Sequence, residues 1–164
     1  MVTIRPAQSA DLNDITEIFN EAILKTTASF FIEPRTVDDM AIWLESHGER
    51  HPVLVAEKNS CVVGWASLTK WSEREAYDGT AETSFYVKES HRGQGIGRQL
   101  KQAIIEQARQ LGYHTLIARM AEGSDASRHL NEQFEFQFVG TLKEVGRKFG
   151  RLLDVHIYQL MLNS

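Results

Sequence analysis

The segment HRGQGIGRQL, residues 91–100, joins a predicted strand to a predicted helix through three glycines. The apolar residues SFYV at 84–87 precede it and are typical of a strand, whereas KQAIIEQARQL at 101–111 repeats apolar residues at helical spacing. Glycine loses more conformational freedom on folding than any other residue. Its concentration at a junction that ought to be rigid therefore indicates a role for the bare backbone.

That role is predicted to be phosphate binding. A helix that begins within residues 93–97 presents N–H groups without partners, and its dipole adds roughly half a positive charge there. Glycines carry no Cβ atom that would keep a phosphate away, and Arg92 and Arg98 add charge. The pattern alone fits a tightly packed turn equally well. A dinucleotide fingerprint and a P-loop are both excluded, since residue 98 is not glycine and G-K-[ST] is absent.

Outward from this segment, apolar periodicity predicts the order β-α-α-β-β-β-α-β-α-β-β. A crossover helix between strands usually joins parallel neighbours, so the predicted fold class is α/β, with a mixed central β-sheet flanked by helices on both faces. Thr36 and Asp39 have capping-box spacing at the start of the second helix, which Gly48 ends. A tight turn at residues 58–60 is predicted to join two strands as a hairpin.

Composition narrows the functional class. The 164 residues fit a single domain, 1–164, and a net charge of -4 argues against a nucleic-acid partner. The sequence shows neither a basic-then-apolar leader nor an apolar run of about 20 residues, so we expect a cytoplasmic protein with no membrane partner. Cys61 is the one cysteine, which suits a reducing compartment. His47 and His51 have no evident third ligand, and no metal is expected.

The spacing R-x-x-G-x-G, formed by Arg92, Gly95 and Gly97, resembles the pyrophosphate-binding motif [QR]-x-x-G-x-[GA] of the GNAT family of N-acetyltransferases. IEPRT at 32–36, REAYDGTAETSFYV at 74–87 and VGRKFGRLLDV at 145–155 are similar to the phosphinothricin and methionine sulfoximine acetyltransferases of that family. The resemblance implies the GNAT fold, acetyl-CoA as co-substrate and a homodimer. It also implies acetyl transfer to the α-amine of a small amino-acid-like acceptor, such as phosphinothricin, methionine sulfoximine or methionine sulfone.

The resemblance also assigns cofactor contacts. Backbone groups near the end of the strand before the glycine segment would pair with the pantetheine arm where two parallel strands splay apart. An N–H near Val87 would polarise the thioester carbonyl. Ser124 stands where relatives carry an asparagine that contacts the cofactor. The full implied set is Phe85, Tyr86, Val87, Arg92, Gly93, Gln94, Gly95, Ile96, Gly97, Arg98 and Ser124.

For catalysis, the resemblance implies that Glu82 is the general base, because an α-ammonium must lose a proton before it attacks a thioester. The residue pattern alone also allows Glu82 on the solvent face of its strand. Arg74 is implied to pair with an acceptor carboxylate or phosphinate, although the pattern alone allows a solvated charge. The implied acceptor-binding set is Ser72, Glu73, Arg74, Tyr77, Thr83 and Ser84.

Two departures from the family pattern bear on mechanism. Relatives carry L-H-x-x-[LM]-G-[FY] where this chain reads LNEQFEF at 130–136, so Asn131 replaces the histidine and Glu135 replaces the glycine. Neutral asparagine cannot donate a proton to a departing thiolate, which leaves the general acid unidentified. Two alternatives stay open: acetylation of another amine (an aminoglycoside, a polyamine or a protein N-terminus), and a non-catalytic sensor that binds acyl-CoA.

Overall fold

A computed structural model describes residues 1–162 of the chain, and its elements follow the predicted order of helices and strands. Short 3-10 turns lie at Ser9–Asp11, Glu75–Tyr77 and Glu89–His91. The described strands and α-helices, numbered in chain order, are β1 (Val2–Pro6), α1 (Leu12–Lys25), α2 (Val37–His47), β2 (Val53–Lys58), β3 (Cys61–Lys70), β4 (Thr80–Val87), α3 (Ile96–Gln110), β5 (Thr115–Ala121), α4 (Asp125–Gln133), β6 (Gln137–Lys148) and β7 (Arg151–Met161).

The strands form one seven-stranded sheet in the order β1-β2-β3-β4-β5-β7-β6. β4 and β5 pair in parallel, and the other neighbouring strands pair antiparallel. α3 is the crossover between the two parallel strands, as the sequence predicts, because parallel neighbours cannot be joined by a tight turn. The predicted mixed sheet is therefore confirmed.

Helices cover both faces of this sheet. Val53 and Val55 of β2 pack with α1 and α2, whereas Leu54 and Ala56 pack with α3 on the opposite face. This division follows from the alternation of side chains along a strand. The predicted apolar stripe of α3 is buried too: Leu100, for example, is fully enclosed. Each such aliphatic side chain contributes about 1.5–3 kcal/mol to folding when it is buried.

Local signals in the sequence also match the structure. Thr36 and Asp39 form the predicted capping box, with a distance of 3.0 Å from Asp39 N to Thr36 Oγ1 and 2.9 Å from Thr36 N to Asp39 Oδ2. Gly48 follows the helix with a φ of 64°. Asn59 and Ser60 have φ angles of 52° and 66°, the left-handed values that a two-residue hairpin turn requires.

Residues 1–162 contain neither a membrane-spanning helix nor a cluster of metal-binding side chains. None of the helices there is long and apolar enough to span a bilayer. The same residues contain no group of three or more histidine, cysteine, aspartate or glutamate side chains that could hold a metal ion.

Candidate active site

The site begins where β4 and β5 separate. Their pairing covers Thr80 with Thr115, Ala81 with Leu116, and Glu82 with Ile117. Both strands continue beyond that point, β4 to residue 87 and β5 to residue 121, but within residues 1–162 they no longer pair with each other. Each still pairs with its neighbour on the other side, β4 with β3 and β5 with β7. A sheet that opens in this way leaves backbone N–H and C=O groups available to a ligand.

A cavity lies on each side of this opening. The larger has a volume of about 510 Å³ and faces α1 and the loop that follows it. The smaller has a volume of about 60 Å³ and lies towards α3 and α4. Both are lined by Ser84, Tyr86 and Arg119, so the two cavities meet at the opening between the strands.

Glu82 and Arg119 form an ion pair on the wall of the larger cavity. Arg119 Nε donates to Glu82 Oε2 at 2.7 Å, and Nη2 donates to Oε1 at 2.8 Å. The Glu82 side chain is 15% exposed, so the interpretation of Glu82 as a solvent-facing residue is wrong. Hydrogen bonding to Glu82 raises the pKa of Arg119, and the carboxylate is held in a fixed orientation.

Aromatic side chains form much of the remaining wall of the larger cavity. Tyr86 packs against Trp65, with ring centroids 4.9 Å apart, and against Phe19 at 5.1 Å. Burial raises the pKa of Tyr86 to about 12, and the charge of Glu82 adds to that rise. The phenol therefore stays protonated at neutral pH. The other aromatic residues on this wall are Phe30, Phe31 and Trp43.

The glycine segment has the geometry that phosphate binding requires. Gly93 and Gly95 have φ angles of 76° and 82°, and a Cβ atom at either residue would meet nothing within 4 Å. Gly95 caps α3, and the Gln99 N–H donates to its carbonyl at 3.1 Å. The amides of residues 96–98 precede that bond and so have no partner in the helix. Open space therefore surrounds Gly93 and Gly95, the residues that precede these amides.

Gly97 serves packing as well. A Cβ atom there would lie 3.1 Å from Cε2 of Phe85, so the absence of a side chain lets the Phe85 ring pack against the first turn of α3. Ile96 is buried, and it offers a ligand its backbone rather than its side chain. Tight packing therefore accounts for Gly97, whereas Gly93 and Gly95 have no such neighbour and phosphate binding by them stays a prediction.

The polar side chains around the glycine segment already have partners. Arg92 Nε donates to the Val87 carbonyl at 3.3 Å, and Gln94 Oε1 accepts from Lys58 Nζ at 2.9 Å. Arg98 Nη1 donates to Gln133 Oε1 at 3.2 Å. All three of these contacts are exposed, so they can rearrange around an anion at little cost.

Buried polar atoms without partners mark both cavities. The described residues contain four such side-chain atoms, of which three line the cavities: Trp65 Nε1 the larger, and Thr83 Oγ1 and Asn131 Oδ1 the smaller. An unsatisfied buried polar group costs about 1–3 kcal/mol, so a ligand that pairs with it is favoured. Ser124, at the start of α4, lies on the same wall as Asn131. These donors and acceptors suit the amide groups of a pantetheine arm.

The loop before β4 lies near the ion pair at its first residue, Trp71, whose ring is 5.5 Å from Cζ of Arg119. Ser72 Oγ accepts from the Arg74 N–H at 3.3 Å, Glu73 is exposed near Lys70, and Tyr77 is 43% exposed. Within residues 1–162 the wall of the larger cavity includes none of the predicted loop contacts Ser72, Glu73, Arg74 and Tyr77, and their place in an acceptor site stays a prediction. Of the two predicted contacts on β4, Thr83 lines the smaller cavity and Ser84 lines both.

Sequence reasoning missed two site residues, Arg119 and Lys101. Arg119 interrupts the otherwise apolar strand HTLIARM, and a lone charge in such a strand was the available signal. Lys101 belongs to the buried stripe of α3, at helical spacing from Gly97 and Ile104, yet its side chain is only 1% exposed. A lysine in an apolar stripe was the signal there.

Comparison with known proteins identifies the class that this fold and site define. The profile of the acetyltransferase (GNAT) family matches residues 15–136, and the chain belongs to that family. A methionine sulfoximine/methionine sulfone acetyltransferase of Pseudomonas aeruginosa is 39% identical over 98% of this chain and 95% of its own. A phosphinothricin N-acetyltransferase of Streptomyces coelicolor is 33% identical over 96% and 95%.

A solved structure agrees with this assignment. An acetyltransferase from Salmonella typhimurium, solved with its cofactor acetyl-CoA, superposes with a TM-score of 0.96. It is 37% identical to this chain, with coverage of 99% of this chain and 94% of its own. The predicted family and GNAT fold are therefore confirmed.

Proposed function

We propose that this protein transfers the acetyl group of acetyl-CoA to the α-amine of a small amino-acid-like acceptor. The observation that carries the proposal is the Glu82–Arg119 pair, on the wall of an aromatic cavity that meets the opening between β4 and β5. The volume of that cavity is within the range of about 300–1,000 Å³ that is usual for small-molecule sites. Phosphinothricin, methionine sulfoximine and methionine sulfone are the leading acceptors, because relatives are named for them.

The cofactor is proposed to lie across the smaller cavity. The backbone of residues 85–87 pairs with the pantetheine arm, and Ser124 contributes a hydroxyl contact. The amides of residues 93–98 bind the pyrophosphate, while Arg92 and Arg98 contribute charge. This assignment is supported by the stretch of β4 that does not pair with β5, by the space around Gly93 and Gly95, and by the unpartnered atoms on the cavity wall.

Glu82 is proposed to take the proton from the acceptor amine, directly or through one water. A carboxylate offers about four lone-pair sites, and Arg119 occupies two of them, so an ammonium can still donate to it. The Arg119 contact holds the carboxylate towards the cavity. Acetyl-CoA supplies the acetyl group as a thioester, which is activated towards attack by the free amine.

The loop before β4 is proposed to hold the acid group of the acceptor, with Arg74 as its charged contact. Support comes from Trp71, which begins this loop and whose ring lies 5.5 Å from Cζ of Arg119. The loop therefore reaches the ion pair at one end. Ser72, Glu73 and Tyr77 are the other proposed contacts from the loop, and Thr83 and Ser84 are the proposed contacts from β4.

An acceptor panel tests the proposed reaction. Release of free coenzyme A thiol is measured with phosphinothricin, methionine sulfoximine, methionine sulfone, spermidine, an aminoglycoside and a peptide with a free N-terminus. We expect turnover with the three amino-acid analogues. Turnover confined to the other amines overturns the acceptor assignment. Tight acetyl-CoA binding without turnover on any amine indicates an acyl-CoA sensor instead.

A homodimer is also proposed, and exposed apolar side chains on the edge strand β6 support it. Phe138, Val139 and Val145 are each more than half exposed, and Leu142 is 45% exposed. Such a patch usually marks an interaction surface. Sedimentation analysis is expected to give a dimer that Val139→Glu converts to a monomer, whereas a monomeric wild type contradicts the proposal.

Location and physiological purpose follow from the proposed chemistry. We propose a cytoplasmic enzyme, because the donor acetyl-CoA is a cytoplasmic metabolite, and detoxification of amino-acid analogues as its purpose. Expression in a sensitive bacterial host is expected to raise tolerance to methionine sulfoximine. A Glu82→Gln variant made at the same level is expected to give no protection.

A further inference from the structure

Lys101 is a buried cation on the wall of the smaller cavity. Its side chain is 1% exposed, and among residues 1–162 no hydrogen-bond or ion-pair partner of its Nζ is found. Nζ lies 4.2 Å from the centroid of the Phe136 ring and 5.7 Å from that of Phe85. Contacts with ring faces offset only part of the cost of removing an ammonium from water.

Packing does not explain a lysine at this place. The other buried residues of the α3 stripe are apolar: Ile96, Leu100, Ile104, Ile105 and Ala108. A methionine or leucine would fill the same space without an uncompensated amine. The same cavity wall holds the unpartnered Asn131 Oδ1 and Thr83 Oγ1. Two unpartnered polar atoms and a buried ammonium on one wall indicate a cavity built for a polar ligand.

The position of this cavity indicates which part of the ligand Lys101 faces. The acceptor amine enters from the larger cavity, where Glu82 lies, so the acetyl carbon must face that side of the opening. The sulfur bonded to that carbon therefore lies towards the smaller cavity, whose wall includes Lys101. Asn131, on the same wall, has no proton to give to a thiolate.

We propose that Lys101 is the general acid of acetyl transfer and donates its Nζ proton to the coenzyme A sulfur. As the amine attacks, a C–N bond forms and the C–S bond breaks, with its electron pair passing to sulfur. Nζ gives that sulfur a proton and becomes a neutral amine. The acceptor nitrogen loses two protons through Glu82 to solvent, one before the attack and one as the amide forms. One proton from solvent restores the ammonium of Lys101 before the next turnover and the other is released, so protons balance over the cycle.

The surroundings of Lys101 suit this role. Burial lowers the pKa of Lys101 to about 7, which is close to the best value for an acid that acts at neutral pH. The facing groups are uncharged: Thr83 and Phe85 from β4, Ser127 and Asn131 from α4, and Phe136 after α4. The other titratable residues on the cavity wall are Tyr86, whose phenol stays protonated, and Arg119, which is paired with Glu82.

Titration of bound coenzyme A tests the proposal without an acceptor. The proposal rests on the proposed acetyl transfer from acetyl-CoA, but it does not depend on which amine is acetylated. Ultraviolet absorbance of the thiolate is followed against pH for coenzyme A bound to the wild type, to Lys101→Met, and to the control Arg109→Met, which removes an exposed charge from the same helix. In the wild type the bound thiol is expected to ionise at the same pH as in Lys101→Met, because a lysine whose pKa is about 7 has already lost its proton there.

Kinetics on the same variants give the second measurement. Lys101→Met is expected to lower kcat about 10–100-fold with an unchanged KM for acetyl-CoA, and to remove the alkaline fall of kcat. A bound thiol that ionises at least about one pH unit lower in the wild type overturns the proposal, because Lys101 would then keep its proton in an ion pair with the thiolate. So does a loss confined to KM, which would make Lys101 a binding residue. Acetylated Lys101 in intact-mass spectra would also overturn it, because the side chain would then be a nucleophile.

Discussion

Arg119 and Lys101 are both cations at the opening between β4 and β5, but they lie on opposite faces of the sheet. Arg119 is about half exposed and holds Glu82 with two short hydrogen bonds. Lys101 is buried, and in the described part of the chain it faces rings and neutral polar groups. Burial therefore removes the Lys101 ammonium from water, and no anionic side chain among residues 1–162 compensates for the lost hydration.

The difference decides what each charge can do. Hydrogen bonding raises the pKa of Arg119, so its charge is permanent and it fixes the geometry of Glu82. Burial without a partner lowers the pKa of Lys101 to about 7, so its charge changes near neutral pH. The wall of the larger cavity therefore carries a cation of constant charge, and the wall of the smaller cavity carries a cation that can lose its proton near neutral pH.

The largest expected effect comes from replacing Glu82, the proposed proton acceptor that is paired with Arg119. Glu82→Gln keeps the shape of the side chain but cannot take a proton, and it leaves Arg119 without an anionic partner. We expect kcat/KM to fall about 10³-fold, which corresponds to about 4 kcal/mol of transition-state stabilisation. Glu106→Gln on the exposed face of α3 is the matched control. Full activity of Glu82→Gln at neutral pH would show that Glu82 is not the base.

Lys101, the cation without a charge partner, is expected to destabilise the folded protein. Lys101→Met removes a buried ammonium, so we expect it to raise the free energy of unfolding by about 3 kcal/mol below pH 7. Above pH 7 the folded wild type loses this proton while the unfolded chain keeps it, up to the ordinary lysine pKa near 10.5. Wild-type stability therefore rises with pH through that window, and its deficit relative to Lys101→Met shrinks.

Urea unfolding at several pH values measures that difference. Arg109→Met, which removes an exposed charge from the same helix, is expected to change the stability little at any pH. If the difference in the free energy of unfolding between wild type and Lys101→Met stayed constant from pH 6 to pH 10, the extra stability of the variant would come from packing alone. That result would contradict a buried ammonium at Lys101. A Lys101→Met variant that is more stable but has a lower kcat would show that Lys101 contributes to catalysis at a cost in stability.

The glycine segment gives the next smaller effect, on cofactor affinity. Gly95 and Gly112 both have positive φ, and a Cβ atom at either would meet nothing within 4 Å, but they lie at opposite ends of α3. Alanine strains the backbone similarly at both residues, whereas only at Gly95 does the new methyl group stand before the unpaired amides. We expect Gly95→Ala to weaken acetyl-CoA binding about 10-fold by calorimetry, about 1.4 kcal/mol, and Gly112→Ala to leave it unchanged. Equal affinities for the two variants would place the pyrophosphate elsewhere.

These residues also show what the sequence alone can predict. Element order, the capping box and the glycine turn depend on neighbours within a few residues, so periodicity and spacing were sufficient for them. Glu82 and Arg119 are separated by 37 residues and meet only because β4 and β5 are parallel neighbours. The meaning of Lys101 depends on Phe85 and Phe136, which belong to other elements, and local patterns carry no record of such contacts.

The smallest expected effect is on stability and concerns Glu135, which replaces the glycine of the family pattern. Glu135 follows α4 with a φ of 69°, and the amides of Glu135 and Phe136 donate to the carbonyls of Glu132 and Asn131 at 3.0 and 2.9 Å. This is the Schellman arrangement, in which glycine is the usual residue at the left-handed position. Glutamate keeps both hydrogen bonds, so the turn survives at a cost in backbone strain. The structure shows no side-chain contact of Glu135, within residues 1–162, that offsets that cost.

Glu135→Gly is therefore expected to raise the free energy of unfolding by about 1 kcal/mol, since the relief of strain exceeds the entropy that glycine adds to the unfolded chain. Glu132→Gly, three residues earlier in regular helix, is the matched control and is expected to lower stability by a similar amount. Urea unfolding of both variants measures the two signs. Because this turn directly follows the helix that carries Asn131, the same variants should leave the thiol titration of bound coenzyme A unchanged. A change in the pH at which the bound thiol ionises would mean that this turn positions the wall of the smaller cavity. The environment of Lys101 would then depend on α4 as well as on β4 and α3.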